Sequence, residues 1–311
     1  MEKRYNSFVG FFKKRYGRRL QKVVIDGGFT CPNRDGSKSV GGCTFCDNAA
    51  FHPSYSTPDK SIALQIEEGI EFHRNRYRNV TDYLAYFQPH SNTYAPLEDL
   101  KRIYGQALEH PGIVGIVVGT RPDCIDEEKL DYFAELAKEK IVIIEYGIES
   151  CYDRTLQRIN RCHSFEDAVR AVKMTAERGL HQGAHLIFGL PGETKQDMMN
   201  TAAMINELPL VSVKFHQLQI IKGTRMEKEF REHPEDFEKF TIDEYVDFFV
   251  DYLELLRPDL YIERFVGEVP PRFVDYRPWG LLRNVELQNI LDKRLEERNT
   301  FQGARYHAPE L

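Results

Sequence analysis

Three cysteines stand close together near the start of the chain, Cys31, Cys43 and Cys46, separated by eleven residues and then by two. Thiolates bind soft metal centres, and both structural zinc sites and most iron–sulfur clusters use four protein ligands. A centre held by only three protein ligands keeps one coordination position open, and an open position is where chemistry takes place. The spacing therefore predicts a catalytic cluster loop with three cysteine ligands.

Two other interpretations of these cysteines stay open at this point. His52 could complete a zinc site of three cysteines and one histidine, or two thiols could form a disulfide and leave one spare. The glycines of the loop, Gly36, Gly41 and Gly42, favour a bulky inorganic centre because glycine lets the backbone approach it closely. Phe45, between the last two cysteines, could shield the centre and pack on the base of a cofactor.

Size and composition are those of a soluble globular protein. The chain has 311 residues, of which 41% are apolar and 29% charged, and it contains no apolar run long enough to span a membrane. Six cysteines are too few for a disulfide framework in a chain of this length, and the first residues lack a hydrophobic signal region. We expect a cytoplasmic protein without a membrane partner. The net charge of −6 argues against non-specific coating of nucleic acid.

The first residues nevertheless form a basic and aromatic segment, which we delimit as 1–19. Residues 1–24 contain eight basic side chains and one acid, and five aromatic residues are interleaved with them. This composition is typical of a surface that contacts RNA. It is equally that of an amphipathic helix whose aromatic side chains dock on the core while its charges are solvated, and both can hold at once.

Short β-rich runs alternate with helical patterns from residue 20 to 225. The predicted strands are 20–28, 82–88, 112–118, 141–148, 183–188 and 211–221, and the predicted helices are 60–76, 97–109, 126–139, 164–178 and 195–206. Such alternation indicates an α/β fold with a parallel sheet. Six strands are too few for a closed eight-stranded barrel, so we expect a partial (β/α)6 barrel. In such folds the functional residues follow the carboxyl ends of the strands, and the unusual residues of this chain do so.

After residue 225 the regular alternation ends. Residues 242–256 have the apolar spacing of a helix, 261–266 that of a strand, and 286–298 that of a highly charged helix. We predict that residues 226–311 form an α+β extension that closes the open side of the barrel.

The cysteine loop resembles the cluster motif of radical S-adenosylmethionine (SAM) enzymes, with the long first gap found in the subgroup around the Elongator catalytic subunit. Three further segments are similar to that subgroup. They are the third-strand Thr120-Arg121-Pro122-Asp123, the fourth-strand Glu145-Tyr146-Gly147-Ile148-Glu149-Ser150, and the fifth-strand Gly189-Leu190-Pro191-Gly192-Glu193-Thr194. The resemblance covers residues 20–225 and fits the stand-alone bacterial YtqA/YhcC-type family, since no segment resembles an acetyl-CoA-binding domain.

The resemblance implies the cofactors. Cys31, Cys43 and Cys46 would hold a 4Fe–4S cluster, and SAM would bind the fourth iron. An electron from the cluster would cleave SAM and yield a 5′-deoxyadenosyl radical, which abstracts a hydrogen atom from the substrate. The electron would come from a donor such as flavodoxin or ferredoxin.

The resemblance also suggests residues that bind SAM. Many members have Gly-Gly-Glu after the second strand, where this chain has Ser91, Asn92 and Thr93 and no acid. The remaining candidates are Phe45, Glu149 for the ribose or methionine part, Arg121 and Asp123 for the carboxylate, and Gly189 and Pro191 beside the adenine. Arg121 and Asp123 could instead pair with each other, and the Gly189–Glu193 segment could be a tight turn without a ligand.

Three interpretations of function follow. The subgroup acts on carbon-5 of the wobble uridine of tRNA, so tRNA is the predicted partner and wobble-uridine modification the predicted reaction. The alternatives are a radical reaction on a small molecule such as a porphyrinogen, and a zinc-stabilised RNA-binding module without catalysis. Cys124, Cys151 and Cys162 lie near predicted strand ends, where a thiol could donate a hydrogen atom or simply be buried. Arg158, Arg161 and His163 form a basic loop that could bind phosphate or be solvated.

Overall fold

The computed structural model describes residues 3–51, 53–74, 80–280 and 282–308. Its strands, in chain order, are β1 (Gln21–Ile25), β2 (Tyr83–Phe87), β3 (Ile113–Thr120), β4 (Ile141–Glu149), β5 (His181–Phe188), β6 (Ser212–Gln217), β7 (Ile220–Ile221), β8 (Tyr261–Arg264) and β9 (Val274–Tyr276). Seven of them form one parallel sheet in the order β1-β2-β3-β4-β5-β6-β8, while β7 and β9 form a small antiparallel pair. The α/β partial barrel is confirmed.

The sheet has one strand more than the six predicted. β8 lies in the region that we assigned to the extension, yet it pairs in parallel with β6, so that Val213 lies beside Ile262. The segments at 242–256 and 261–266 therefore form one further helix–strand unit of the same sheet. Composition changes after residue 225 while the architecture continues, which is why the last strand was not counted. The domain boundary at residue 225 stays a prediction.

The helices largely follow the predicted pattern. They are α1 (Phe8–Tyr16), α2 (Asn48–Phe51), α3 (Ile62–Arg74), α4 (Leu97–Leu108), α5 (Glu127–Leu136), α6 (Asp153–Arg158), α7 (Phe165–Glu177), α8 (Lys195–Asn206), α9 (Arg225–Glu232), α10 (Ile242–Leu255) and α11 (Asn284–Glu297). Ser164 and Asp167 form the capping box that starts α7, as the sequence predicts. Gly179, with φ of +68°, follows the end of α7.

The outer face of the sheet carries the main core. Alternate residues of each strand, such as Val23 and Ile25 of β1, pack against the helices that connect the strands. Near β5 and β6 the core is aromatic: the ring of Phe249 from α10 lies 5.2 Å from that of Phe215 and 5.5 Å from that of Phe188. This packing makes the sheet a rigid platform for the residues on its other face.

The N-terminal helix α1 covers part of the inner face. Phe8, Phe11 and Phe12 are buried against inward-facing side chains, among them Leu84 and Ile143. The backbone next to α1 also reaches β8, because the amide of Ile262 donates to the carbonyl of Asn6 over 2.7 Å. The aromatic side chains of this segment thus dock on the core; contact between its basic side chains and RNA stays a prediction. In the part of the chain that the structure describes, none of the helices has the length and apolarity needed to cross a bilayer.

Candidate functional site

A cavity of about 240 Å³ opens at the carboxyl ends of the parallel strands. Its wall contains all three cysteines of the N-terminal loop, together with Phe45 and with Glu149 from the end of β4. Functional groups of parallel α/β folds collect at this end because every strand delivers its following loop there. The topology, not proximity in sequence, therefore brings the predicted residues together.

The cysteine loop is held in place by the strand–helix connections around it. The amide of Thr44 donates to the carbonyl of Ile159 over 3.0 Å, and the amide of Met226 at the start of α9 donates to the carbonyl of Thr44, also over 3.0 Å. The side-chain amide of Asn160 donates to the carbonyl of Gly42 over 2.8 Å. These bonds fix the loop from outside, so its conformation does not depend on the thiols alone.

Two arginines and one asparagine donate to the thiols. Arg34 lies 3.5 Å from the sulfur of Cys46, and Arg161 lies 3.6 Å from the sulfur of Cys43. Asn33 donates to Cys43 over 3.7 Å. Burial alone would lower the pKa of Arg161, but Cys43 and Glu149 raise it above its usual value, so the guanidinium is charged. The loop thus supplies positive charge and donors to thiolate sulfur, which stabilises an anionic centre.

The groups around the three cysteines indicate which kind of metal centre the loop could hold. Within the described ranges, no three histidine, cysteine, aspartate or glutamate side chains lie close enough to bind one ion. Three thiols on one cavity wall, two of them beside arginine donors, have the chemistry of an iron–sulfur cluster site, because the thiolates that hold a cluster are anionic. His52, the predicted fourth zinc ligand, lies outside the described residues.

Gly42 has a steric role in this loop. Its φ is +78°, and a Cβ at this position would lie 3.1 Å from Nε of Arg34, which donates to Cys46. Gly41 has the same φ, but its Cβ would meet no heavy atom within 4 Å. The two glycines therefore differ in crowding and not in backbone strain.

The Gly42→Ala variant should lose about tenfold in iron retention, because displacing Arg34 removes a donor to the sulfur of Cys46, a predicted cluster ligand. Gly41→Ala is the matched control. Because the two glycines have the same left-handed φ, each variant should lose about 1 kcal/mol in free energy of unfolding from backbone strain, but Gly41→Ala should retain its iron. Iron per chain after gel filtration and urea unfolding of both variants provide the measurement. Equal iron loss in the two variants would contradict a specific role for Arg34.

Glu149 occupies a strained position at the mouth of the cavity. Its φ is +67°, in the left-handed region, and the pairing of β4 with β5 shifts register between Gly147 and Glu149. The carboxylate lies 3.3 Å from Nη2 of Arg161, which also donates to the carbonyl of Gly147 over 2.6 Å. Strained backbone of this kind is common at functional sites, where the strain fixes the direction of a side chain. Here the strained residue is one that lines the cavity. Its role toward SAM stays a prediction.

Arg121 and Asp123 form a bidentate pair with each other. Nε and Nη2 of Arg121 donate to the carboxylate over 2.9 and 2.8 Å, and Lys38 also contacts Asp123 at 2.5 Å. Although burial opposes it, the bonds to Arg121 hold the pKa of Asp123 at about 2. Arg121 lines the cavity and its Nη1 is buried without a partner among the described residues. Of this pair, Arg121 is therefore the residue with a free donor for a ligand.

The predicted Ser91, Asn92 and Thr93 are buried behind the cavity wall. Asn92 donates to the carbonyls of Phe87 and Gly119 over 3.0 and 2.7 Å, and thereby joins the ends of β2 and β3. Thr93 donates to the carbonyl of Cys124 over 2.6 Å. Among the described lining residues of this segment are Gln88 and His90 rather than these three. The structure thus shows strand-end contacts for the segment; a contact with SAM stays a prediction.

Gly189 and Pro191 also lie outside the described lining of the cavity. Gly189 has φ of +88°, and its amide is 3.1 Å from the sulfur of Met198. Leu190 and Leu156 belong to an apolar cluster, and Phe45, which does line the cavity, packs against that cluster. The turn therefore positions Phe45 through the apolar cluster, and its approach to adenine stays a prediction.

The remaining cysteines differ in exposure. Cys124 and Cys151 are buried, and burial raises the pKa of both thiols. Cys162 is exposed, and its sulfur lies 3.7 Å from the carbonyl oxygen of Asn160. In the described structure none of the three lines the cavity. Of the basic loop at 158–163, only Arg161 reaches the thiols; Arg158 pairs with Glu229 over 2.7 Å.

Sequence reasoning missed a cluster of charges on the inner face of the sheet, below the thiols. It comprises Lys22, Tyr86, Glu145, His185, Lys214, His216, Glu263 and Arg264. Lys22 contacts Glu145 and lies 2.6 Å from Glu263, so this lysine of the basic N-terminal stretch points inward. Alternate polar residues in apolar strands, as in Lys214-Phe215-His216, were the available signal.

Both carboxylates of this cluster are saturated by cations. Lys214 lies 3.1 Å from Glu263 and 3.5 Å from Glu145, and Nε2 of His185 lies 2.8 Å from Glu145. Burial would raise the pKa of Glu145, but Lys214 and Lys22 lower it well below its usual value. Glu145 is therefore ionised at neutral pH. Glu145, Lys214 and Arg264 line the same cavity as the thiols, and we call this part of the cavity wall the charged floor.

Comparison with known proteins agrees with this architecture. A sequence model of the radical SAM superfamily matches residues 31–205, and a model of the radical SAM C-terminal domain matches residues 211–297. The uncharacterized protein YtqA of Bacillus subtilis is 33% identical over 302 residues, which cover 97% of this chain and 92% of that protein. Protein YhcC of Escherichia coli is 38% identical over 229 residues, 73% of this chain and 72% of its own.

More distant similarities extend to larger proteins. A tRNA uridine(34) acetyltransferase of Methanocaldococcus infernus is 27% identical over 133 residues, which cover 42% of this chain but only 24% of that enzyme. The structure of Elp3 from the same archaeon, with its N-terminus deleted, superposes with a TM-score of 0.69 at 16% identity, covering 92% of this chain and 64% of that one. At this identity the structural similarity shows a common fold.

Proposed function

The chain belongs to the radical SAM superfamily, within its Elp3-like stand-alone family, and on that basis we propose that it modifies the carbon-5 side chain of the wobble uridine of tRNA. Its membership makes it an enzyme that uses a 4Fe–4S cluster and SAM. The zinc-stabilised, non-catalytic module is therefore wrong. A cytoplasmic location and an electron donor such as flavodoxin or ferredoxin belong to the same proposal.

The residues around the cavity have separable tasks in this proposal. Cys31, Cys43 and Cys46 would hold the cluster, which together with SAM supplies a 5′-deoxyadenosyl radical. Arg34 and Arg161 compensate the charge of the thiolates. Phe45 and the apolar residues behind it exclude water and stray hydrogen donors from the cavity.

The observation that carries the tRNA proposal is a groove that runs into the cavity. It has a volume of about 670 Å³ and shares Phe51, Gln88, Gln217 and Arg264 with the cavity. Because its walls come from the β1 side and from residues after β8, it lies between the two edge strands of the open sheet. A nucleotide could therefore enter from the side of the barrel.

The groove also has the chemistry of a single-stranded RNA site. Its walls include the aromatic side chains of Phe72, Tyr276 and Trp279 and the guanidinium groups of Arg277 and Arg283. Phe72 and Tyr276 are 39% and 37% exposed, large values for such residues. Aromatic rings stack on unpaired bases and arginines contact phosphates. The similarity to a tRNA uridine(34) acetyltransferase favours the anticodon loop as the occupant.

The specific reaction that we propose converts a carboxymethylaminomethyl group into an aminomethyl group. The N–CH2–COO⁻ carbon loses two electrons and two protons, and addition of water releases it as glyoxylate and leaves the primary amine on the uridine. Both electrons and one proton pass to SAM, the oxidant consumed in each turnover, which leaves as methionine and 5′-deoxyadenosine, and the second proton passes to the solvent.

Deletion of the gene should make carboxymethylaminomethyluridine accumulate in tRNA, at the expense of the aminomethyl derivative and whatever is made from it. Nucleoside analysis of bulk tRNA by mass spectrometry measures both. Complementation with the wild-type gene should restore the profile and complementation with Cys46→Ala should not, since that variant lacks a cluster ligand. An unchanged nucleoside profile in the deletion strain would overturn the tRNA proposal.

A further inference from the structure

Nearly every cation of the barrel interior and its mouth has a carboxylate partner. The pairs are Lys22 with Glu263 at 2.6 Å, Lys214 with Glu263 at 3.1 Å, Arg161 with Glu149 at 3.3 Å, and Arg121 with Asp123 at 2.8 Å. Such pairing is expected, because a charge removed from water is costly unless an opposite charge or strong hydrogen bonds compensate it. Arg34 has no carboxylate within the described chain but donates to the Cys46 thiol.

Arg264, the last residue of β8, has neither a carboxylate nor a thiol as a partner in the described chain. Its Nη2 lies 3.1 and 3.2 Å from the two ring nitrogens of His216, and its Nε is buried with no hydrogen-bond partner among the described residues. No carboxylate of the described chain lies within 4.0 Å of its guanidinium. Glu268 lines the same cavity, but its carboxylate accepts from the amide of Asn284 over 2.8 Å.

The neighbours of Arg264 leave its charge uncompensated. The inner cluster contains Lys22, Lys214 and Arg264 as cations and only Glu145 and Glu263 as anions. His216 is neutral, because burial and then Arg264 lower its pKa well below the usual value. Burial and Lys214 likewise lower the pKa of His185. A guanidinium with an unused donor and no carboxylate within 4.0 Å in the described chain therefore lines the cavity.

We propose that Arg264 binds a carboxylate of the substrate. Arg264 lies where the cavity and the lateral groove meet, so a nucleotide that enters through the groove would bring its carbon-5 side chain past this guanidinium. A guanidinium with a free edge matches the planar geometry of a carboxylate. The inference rests on the proposed function, since the carboxymethylaminomethyl group ends in a carboxylate and the aminomethyl product does not.

The product would lose this contact. After the carboxymethyl carbon leaves, the remaining primary amine is a cation at neutral pH and faces Arg264, a like charge. The same arginine would therefore bind the substrate and favour release of the product. SAM also has a carboxylate, but the arginines next to the thiols are Arg34 and Arg161, whereas Arg264 belongs to an edge strand and borders the groove.

The test compares Arg264→Met with Arg264→Lys in the reconstituted holoenzyme. The probes are the nucleosides 5-carboxymethylaminomethyluridine and 5-aminomethyluridine, and SAM alone, each titrated by isothermal calorimetry under anaerobic conditions. In Arg264→Met the affinity for the carboxylate nucleoside should fall by about 10- to 100-fold, as for loss of a hydrogen bond to a charged group. Arg264→Lys should lose less, because the charge remains while the planar fork is lost. Affinity for SAM and for the aminomethyl nucleoside should not fall.

Several outcomes would overturn the inference. One is an unchanged affinity of Arg264→Met for the carboxylate nucleoside; another is loss of SAM affinity in that variant, which would assign the arginine to the cofactor. Iron content and circular dichroism equal to those of the wild type exclude a folding defect, and Gln196→Ala on the exposed face of α8 serves as a remote control. If deletion leaves tRNA nucleosides unchanged while Arg264→Met still loses the carboxylate nucleoside, the tRNA proposal fails and the carboxylate site stands.

Discussion

Replacement of Cys43 by alanine is expected to abolish cleavage of SAM. Cys43 is buried, lines the cavity, and accepts from Arg161 at 3.6 Å and from Asn33 at 3.7 Å. Cys43 is one of the three ligands that we propose, and its loss would leave two thiolates for the cluster, so the reconstituted protein should bind well below the usual four irons per chain. SAM cleavage, measured as 5′-deoxyadenosine formed after chemical reduction, should fall at least about 1,000-fold, the scale expected when a catalytic centre is removed.

Cys162→Ala is the matched control for this experiment. Cys162 is also a cysteine near the strand ends, but it is exposed and has no place in the described cavity wall. This variant should reconstitute to the wild-type iron content and cleave SAM at the wild-type rate. A Cys43→Ala protein that keeps a full cluster and full cleavage would show that the three cysteines of the loop are not the ligand set.

The parts of the fold that the sequence predicted are those with regular periodicity. The runs at 82–88, 112–118 and 141–148 became β2, β3 and β4 with ends shifted by at most two residues, because each is a mainly apolar run between helices. The strand at 261–266 was also recognised, but its place in the sheet was not. Periodicity shows that a segment is a strand, whereas its neighbour depends on long-range pairing that local sequence does not encode.

The site was predicted in the same uneven way. The cysteines can be singled out because spacing within one loop is a local property; the structure places all three on one cavity wall, and their role as ligands stays a prediction. Ser91, Asn92 and Thr93 are polar residues where many relatives have Gly-Gly-Glu, and that place in a motif does not tell whether a side chain faces the cavity or the backbone of the next strand. The charged residues on the inner face of the sheet could not be predicted as a cluster. Such a prediction requires knowing which face of each strand points into the barrel.

The second large effect should follow from removing the negative charge of Glu145. Its carboxylate is 2% exposed and contacts three partners: Lys22, Lys214 at 3.5 Å and His185 at 2.8 Å. In Glu145→Gln the two lysines would face Glu263 alone, so an excess of buried positive charge would remain. Breaking a buried ion pair from one side costs about 3–5 kcal/mol, and we expect a loss of that size in the free energy of unfolding in urea at pH 7.

The pH dependence gives this prediction a second readout. Because the pKa of Glu145 is lower in the folded chain than its ordinary value of 4.5, its contribution to stability is complete above that value and declines as the pH falls below it. The Glu145→Gln variant lacks this contribution, so its stability deficit relative to the wild type should shrink on acidification. Both curves are obtained from urea unfolding between pH 7 and the lowest pH at which the wild type stays folded.

An exposed glutamate provides the comparison. Glu135 pairs with Lys138 at 2.5 Å across one turn, with 72% and 68% of the two side chains exposed, so water already screens the pair. Glu135→Gln should change the free energy of unfolding by less than about 0.5 kcal/mol, with no dependence on pH of its own. Equal losses for Glu145→Gln and Glu135→Gln would mean that the inner cluster is hydrated and flexible. In that case the lysines and carboxylates of the inner cluster would not form a rigid surrounding for Arg264. The guanidinium of Arg264 would then not be positioned by its neighbours.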